Sequence, residues 1–292
     1  MRSRPFAQVD VFTDVAFKGN PLAVVLDGTD LTDGQMQSFA AWTNLSETTF
    51  VLPPQNAQAD YRVRIFTPVA ELPFAGHPTL GTCHAWLHAG GKPKQLGMAI
   101  QECAAGLIPI RLGLPLDTRP AFAAPRLTMT ETDEATIAKI CAALRIKSAS
   151  IRSSKVLNNG PIWWGLLLGS AADVEAIRPD HNALANLPKV GVIGKYPQPS
   201  VHNPKTSADF LVRGFAASVG VPEDPVTGSL NASLAQWLIT QKIAAASYCA
   251  AQGLSIGRDG KVWIASEPVD SGQLRVWVGG DSVTCINGTV VL

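Results

Sequence analysis

The stretch NLSETTF, residues 44–50, sets one carboxylate, Glu47, between Ser46 and two threonines, with apolar Leu45 and Phe50 close by. A carboxyl partly withdrawn from water has a raised pKa and can take and return a proton near neutrality. Taken alone, Glu47 also reads as a solvent-exposed loop glutamate. A second acid lies in PEDPVTGSL, residues 222–230, where Asp224 is held by Pro225 beside Glu223. It reads either as a further acid/base or orienting acceptor, or as a turn carboxylate capping a helix. Two glycine–polar pairs, Gly76-His77 and Gly228-Ser229, stand where helices begin. Glycine lets backbone come close to a ligand, and a helix start leaves N–H groups pointing outward with a partial positive charge. Two such ends facing each other across a cleft would hold a small carboxylate without any arginine. The other reading of Gly228-Ser229 is a plain N-cap.

These residues need elements to position them. AQVDVF alternates as a strand, and GNPLAVVL follows as a more continuously apolar one after a Gly-Asn-Pro turn. Thr32 and Gln35 have the spacing of a capping box, and Met36, Phe39 and Ala40 recur at helical spacing, which predicts a helix ending near Asn44. TTFVLPP and DYRVRIFTP read as strands closed by prolines. From Pro78, TLGTCHAWLHAGG reads as a short helix stopped by its glycines. Residues 114–132, with Pro115, Pro120 and Pro125, read as a linker. Beyond it, ETDEATIAKICAAL, PIWWGLLL, AADVEAI, ADFLVRGF and SLNASLAQWL alternate helix and strand as a second α+β half. RIFTPVAELPFAGHPTLGTCHAWL and LVRGFAASVGVPEDPVTGSLNASLAQWL share an order: strand-ending aromatic, polar loop, glycine with a polar residue, helix ending in Trp-Leu. The glycines are 152 positions apart (228 − 76), close to half of the 292 residues, so two related halves are expected.

Composition narrows the class. Apolar residues make up 46% and charged residues 16%, against about 25% charged in an average soluble protein, so a sizeable core is available. The net charge is +1 and no basic block occurs, which argues against nucleic acid or an anionic membrane as partner. Five scattered cysteines include no C-x-x-C pair, against a disulfide framework or a zinc knuckle. No apolar segment follows the arginines of MRSRPFAQVDVF, and IWWGLLLG is too short to span a bilayer, so a cytoplasmic protein is expected. GLSIG, residues 253–257, matches a nucleophile elbow, but RDGKVWIA after it reads as turn and strand where an elbow needs a helix. His84 and His88 have i, i+4 spacing, yet no third ligand is apparent, and no metal is expected.

VFTDVAFKGNPLAVVL, NLSETTF, RIFTPVAELPFAGHPTLGT and FLVRGFAASVGVPEDPVTGSL resemble the recurring signatures of the phenazine biosynthesis PhzF-like family, which shares the diaminopimelate epimerase fold. The resemblance runs from about Val9 to the closing VWVGGDSVTCINGTVVL. It implies an α+β chain of two pseudo-symmetric halves of diaminopimelate epimerase-like type. Each would be a mostly antiparallel or mixed sheet wrapped around a central helix, with an active site in the cleft between them. The expected division is 1–118, with strand 280–292 available to complete it, and 126–279. The family's catalytic glutamate matches Glu47 through S-E-T, with Ser46 counted among the substrate-binding residues. Its histidine matches His77 through F-A-G-H-P, and its aspartate and serine match Asp224 and Ser229 through E-D-P-V-T-G-S. The backbone grip on the substrate carboxylate falls on Gly76 and Gly228. FAAS departs from the family, which often has a proline after the aromatic; this bears on loop shape.

In the best-understood family activity, trans-2,3-dihydro-3-hydroxyanthranilate is isomerised without metal or organic cofactor. The implied function is therefore a cofactor-independent isomerase moving a proton on a small cyclic or amino-acid-like carboxylate, and the resemblance implies a homodimer. The alternative is a non-catalytic metabolite-binding or regulatory protein retaining the same cleft. Diaminopimelate epimerases and proline racemases use paired cysteines, but Ala75-Gly76-His77 and Pro225-Val226-Thr227-Gly228 carry no thiol. Cys83, inside the following helix, reads as a small buried hydrophobe.

Overall fold

The Thr32 hydroxyl accepts from the Gln35 backbone N–H at 3.2 Å, and the Gln35 side chain accepts from the Thr32 N–H at 2.9 Å. That reciprocal box starts the helix Asp33–Thr43, which ends on Asn44 in the left-handed region, φ 53°. A computed structural model describes residues 1–114, 117–197, 208–269 and 274–292. The chain divides into two units, Met1–Ala123 with Gly279–Leu292, and Ala124–Val278.

The first unit contains β1 (Ser3–Val11), β2 (Asn20–Val25), α1 (Asp33–Thr43), β3 (Glu47–Leu52), β4 (Tyr61–Phe66), β5 (Glu71–Leu72), α2 (Gly76–His88), β6 (Met98–Cys103), β7 (Gly106–Leu114), β8 (Asp117–Ala123) and, from the far end of the sequence, β18 (Ser282–Val291). β1 runs antiparallel to both β2 and β18. β2 and β3 are parallel, joined by the crossover through α1, and β3 is antiparallel to β4. β4 pairs antiparallel with β5 and parallel with β6, the latter through the α2 crossover; β6–β7 and β7–β8 are antiparallel. Nine of the thirteen residues of α2 are buried. The helix comes close to the sheet at Gly81, where an added Cβ would lie 2.7 Å from both Leu22 and Val11. Met36, Phe39 and Ala40 of α1 cover a separate apolar cluster with Val25, Phe50 and Phe66.

The second unit contains β9 (Thr128–Thr130), α3 (Glu134–Leu144), β10 (Ile151–Asn158), β11 (Ile162–Leu168), α4 (Ala171–Glu175), α5 (His181–Leu184), β12 (Val190–Lys195), β13 (Phe210–Ala216), β14 (Val221–Asp224), α6 (Gly228–Thr240), β15 (Ser247–Gln252), β16 (Gly260–Pro268) and β17 (Leu274–Gly279). β10 is antiparallel to β9 and β11, β11 parallel to β12, and β12 antiparallel to β13. β13 pairs antiparallel with β14 and parallel with β15, and β15 is antiparallel to β16. α6 is thirteen residues long with nine buried, including Trp237. Its Leu230 fills the space over Gly191, where an added Cβ would meet Leu230 at 2.2 Å. α3 and α4 cover a core of Ile140, Leu144, Leu166, Val174, Val192 and Leu211.

Three expectations from the sequence need correction. Residues 114–132 are not an unpaired linker: β8 and β9 lie in them, with Pro115 outside the described residues. Phe122 is buried opposite Ile110, and Pro120 opposes Leu112, so a strand forms despite the proline. α2 starts at Gly76, two residues before Pro78, because a proline in the first turn removes only an N–H that would lack an intrahelical partner anyway. α6 likewise starts at Gly228, with Thr227 as N-cap residue, so Ser229 lies inside the first turn and is not the cap. GLSIG forms a short 3-10 turn, Leu254–Ile256, followed by β16.

Candidate active site

In the first unit, two of the singled-out residues, Glu47 and His77, meet. Glu47 opens β3 directly opposite Leu22 of β2, and His77 is the second residue of α2. The left-handed turn at Asn44 is what brings the chain from α1 into β3 at Glu47. The His77 Nε2 lies 3.5 Å from Glu47 Oε2, with the two side chains only 6% and 17% exposed. The ring also bonds to the backbone of Pro21. Proline has no N–H, so its carbonyl is the acceptor and the imidazole the donor. The donor is Nδ1, since Nε2 makes no hydrogen bond among the described residues. That leaves the Nε2 lone pair facing the carboxyl. Burial pushes the His77 pKa down to about 3, against the smaller opposing effect of the Pro21 bond. His77 is thus a neutral imidazole with its acceptor side toward Glu47. A protonated Glu47 can donate to Nε2; an ionised Glu47 cannot. The neighbouring Ser46 hydroxyl donates to Asn20 at 3.4 Å, and Thr48 and Thr49 behind Glu47 are fully buried.

Gly76 and His77 provide the first amides of α2. The N-cap is Ala75, which has no side chain able to cap, and Pro78 contributes no N–H. The first turn carries no acidic residue, so its partial positive charge is not offset locally. Cys83, one turn further along, is fully buried, and burial pushes its thiol up to about 12, so no thiolate is available there.

In the second unit, Asp224 ends β14 and Gly228 and Ser229 open α6. The neighbouring Glu223 is turned to another task. It receives Arg213 Nε at 2.9 Å and Nη2 at 2.8 Å as a bidentate pair, both side chains 4% exposed. Asp224 Oδ2 instead accepts the Thr227 hydroxyl at 2.6 Å. Gln252, at the end of β15 and fully buried, fixes that contact. Its Nε2 donates to Thr227 Oγ1 at 2.9 Å and to the Asp224 carbonyl at 3.1 Å. Its Oε1 accepts from the Thr227 N–H and from Asn231 Nδ2. Because Thr227 Oγ1 receives the amide, its own hydrogen is committed to Asp224, and Thr227 makes no side-chain cap on α6. Ser229 is held from outside the helix. Trp163 Nε1 donates to its Oγ at 3.2 Å, and Asn159 Nδ2 to its carbonyl at 2.9 Å.

A cavity of about 530 Å³ in the second unit is lined by Arg145, Arg178, His181, Arg213 and Glu223 among others, and by neither Asp224 nor Ser229. Arg213 and Glu223 are spent on each other there, and Arg178 donates to the carbonyls of Glu175 and Ile177. Volume alone does not select it over the constellations above.

A family profile described as "Phenazine biosynthesis-like protein" (PhzC-PhzF) matches residues 9–288. This chain belongs to the PhzF-like family. Trans-2,3-dihydro-3-hydroxyanthranilate isomerase of Pseudomonas fluorescens is 35% identical over 288 residues, covering 97% of this chain and 98% of that protein. "Antisense-enhancing sequence 1" of Schizosaccharomyces pombe is also 35% identical, over 299 residues and 99% of each chain. Among solved structures, a PhzF-family phenazine biosynthesis protein of Bacillus anthracis superposes with a TM-score of 0.85 at 23% identity, covering 100% of both chains. The PhzF-like fold is thus a mixed α/β one with large mixed sheets, and no helix among the described residues is long and apolar enough to cross a membrane.

Sequence reasoning on this PhzF-like chain missed Gln252, Asn231, Asn159 and Trp163. Thr227 was legible as part of T-G-S, but Gln252 shows only as a polar residue ending a buried strand. Its partners are 21 to 28 positions away and leave no local pattern.

Proposed function

We propose that this chain is a cofactor-independent isomerase that moves a proton on a small cyclic carboxylate, in the manner of trans-2,3-dihydro-3-hydroxyanthranilate isomerase. The buried Glu47–His77 pair carries the reading. Glu47 as carboxylate takes a proton from a substrate carbon; the C–H electron pair enters the unsaturated skeleton. The same proton returns to another carbon, so atoms, charge and oxidation level are conserved and no redox partner is required. Between these events Glu47 is protonated, and the lone pair on His77 Nε2, 3.5 Å away, receives its hydrogen bond. Asp224, whose Oδ2 accepts the Thr227 hydroxyl, orients a substrate hydroxyl or amino group. Ser46 and the Gly76 amide in the first unit, and Ser229 and the Gly228 amide in the second, are each assigned to substrate binding by the family resemblance. The isomerase names among relatives at 35% identity support the same reaction class.

The finer fold reading belongs with this proposal: the units are related copies of diaminopimelate epimerase-like type, each with a sheet around a central helix. Its support is the repeated order of pairings. Antiparallel, parallel, antiparallel, antiparallel, parallel, antiparallel describes β1 to β7, and equally β10 to β16. The buried helices start at Gly76 and Gly228 and have equal length.

The test is turnover of trans-2,3-dihydro-3-hydroxyanthranilate in D2O. Wild type is expected to convert it with deuterium incorporation, and Glu47→Gln to lose about 10²–10⁴-fold in rate, the usual worth of a general acid/base. Unchanged rate and incorporation in Glu47→Gln would remove Glu47 from the chemistry. The fission-yeast relative's name, which is not an enzyme's, favours a second reading, a metabolite-binding protein without turnover. That reading wins if wild type and Glu47→Ala bind the same acid equally and neither converts it.

A further inference from the structure

The cavity of about 530 Å³ in the second unit lies on the other face of β14 from Asp224: Glu223 lines it, and Asp224, the next residue, does not. Its volume suits a small organic molecule, for which pockets of about 300–1,000 Å³ are usual. Its buried wall is saturated. Arg213 gives Nε and Nη2 to Glu223 and Nη1 to the Val174 and Ile177 carbonyls, so this pair neutralises itself. The exposed part of the lining is different. Arg178 is fixed through Nη1 alone, on carbonyls that do not neutralise its charge. Arg145 and Glu175 have no side-chain hydrogen bond or ion pair among the described residues. Two cations against one acid leave an excess of one positive charge, the complement of a monoanion. His181, whose ring packs on Phe215, adds to that excess only when protonated.

Arg145 closes α3 in the left-handed region, φ 55° and ψ 44°. That position favours glycine, because a Cβ there crowds the following carbonyl. The backbone therefore gains nothing from an arginine, and the side chain is what the position supplies. The GLSIG stretch builds the opposite wall. Gly253, φ 93°, and Gly257, φ 77°, bracket the turn Leu254–Ile256, and a Cβ at Gly253 would lie 2.6 Å from the Pro225 carbonyl oxygen. The turn thus packs directly on the loop after β14. It presents Leu254 and Ile256, 40% and 41% exposed, to the cavity, with Ser255 between them. Apolar side chains beside unspent cations suit a molecule with an apolar body and a charged end.

We infer that this cavity is a ligand site separate from the Glu47–His77 pair, and that it takes a small organic monoanion. The ligand's carboxylate meets Arg145 and Arg178, and its apolar body lies on Leu254 and Ile256. The site stands whether or not the chain isomerises anything.

The experiment is calorimetric titration of the full chain with hexanoate, hexan-1-ol and inorganic phosphate at low ionic strength. Hexanoate has both charge and body, and each of the others lacks one of them. Wild type is expected to bind hexanoate about tenfold or more tightly than either. Arg145→Gly should weaken hexanoate by about tenfold or more while its urea midpoint stays level or rises, since glycine suits the left-handed backbone. Leu254→Ser, at an exposed position, should weaken hexanoate severalfold, and Glu47→Gln should bind it as wild type does. A wild type that ignores hexanoate, or prefers the alcohol or phosphate, overturns the inference without any variant. Affinity retained in either Arg145→Gly or Leu254→Ser overturns it, as does a changed affinity in Glu47→Gln, which would put hexanoate in the other site. A lowered urea midpoint in Arg145→Gly makes Arg145 a structural residue and overturns it too.

Discussion

His77 illustrates how burial decides the role of a single side chain. An unperturbed histidine titrates near 6.5, whereas here the imidazole stays neutral down to about 3. Between those values the unfolded chain binds a proton that the folded one refuses, so stability falls as pH drops from 6.5 toward 3, at up to about 1.4 kcal/mol per pH unit. Above 6.5 the contribution is fully present. His84, which burial and the neighbouring His88 push down to about 4, works in the same sense. The share due to His77 is thus the difference between wild type and His77→Asn. Urea midpoints measured from pH 7.5 to 4 should converge between the two proteins as pH falls; parallel curves would contradict a neutral, buried His77. A protonated His77 would face the positive end of α2 and could not accept from Glu47, so the same burial that costs acid stability keeps the ring in its useful form.

The two acids of P-E-D-P divide their work in a way no spacing argument separates. Glu223 is locked by Arg213, and Asp224, one residue on, points to Thr227. Alternation along β14 sends neighbouring side chains to opposite faces, which is the physical basis of the division.

At the scale of elements, the loop before β2 sets up the ring. A Cβ added to Gly19 would sit 2.3 Å from the Val11 carbonyl oxygen, backbone that cannot move aside cheaply. Gly19→Ala should therefore shift Asn20 and Pro21, loosen the Pro21 bond to His77, and destabilise by about 1–3 kcal/mol. Gly34→Ala, in α1 with nothing within 4 Å of the new methyl, serves as the control and should be neutral or slightly stabilising. Denaturant titration of both, with turnover of the first, checks the pair; equal stabilities would sink the argument. The elements themselves were largely legible. The capping box, the strand alternation and the helical spacing of α3 are local signals, and the folded chain uses them as read. Helix starts were misplaced by one or two residues because glycine and proline look like breakers until first-turn geometry makes them acceptable. β8 was missed because prolines obscured a strand whose proof is a partner, β7, and not its own pattern.

At the scale of the whole molecule, sequence blocks far apart identified the family because they keep order and spacing over nearly the full chain, and the family profile spans residues 9–288. What the blocks leave out is the shell that aims them. Gln252, Asn159 and Trp163 sit on strands or turns that contribute through contacts across many positions, and such pairs carry no periodicity of their own. The assignment of β18 to the first unit has a measurable side. β18 pairs with β1 over nine positions, Ser3 to Val11, with one register shift after Gln8. Removing residues 282–292 should leave β1 with an unpaired edge and promote self-association, visible as concentration-dependent sedimentation or light scattering. A truncated protein that stays monodisperse and melts like the full chain would contradict this.

That pairing also bears on birth order at the ribosome. Residues 124–278 form a continuous stretch and can settle as soon as they emerge, at translation rates of about 5–20 residues per second. The unit begun first must instead wait, with β1 lacking a neighbour, until a strand encoded some 270 codons later arrives (282 − 11). The nascent protein therefore finishes its middle before its beginning, and the interval is the period in which a chaperone has most to shield.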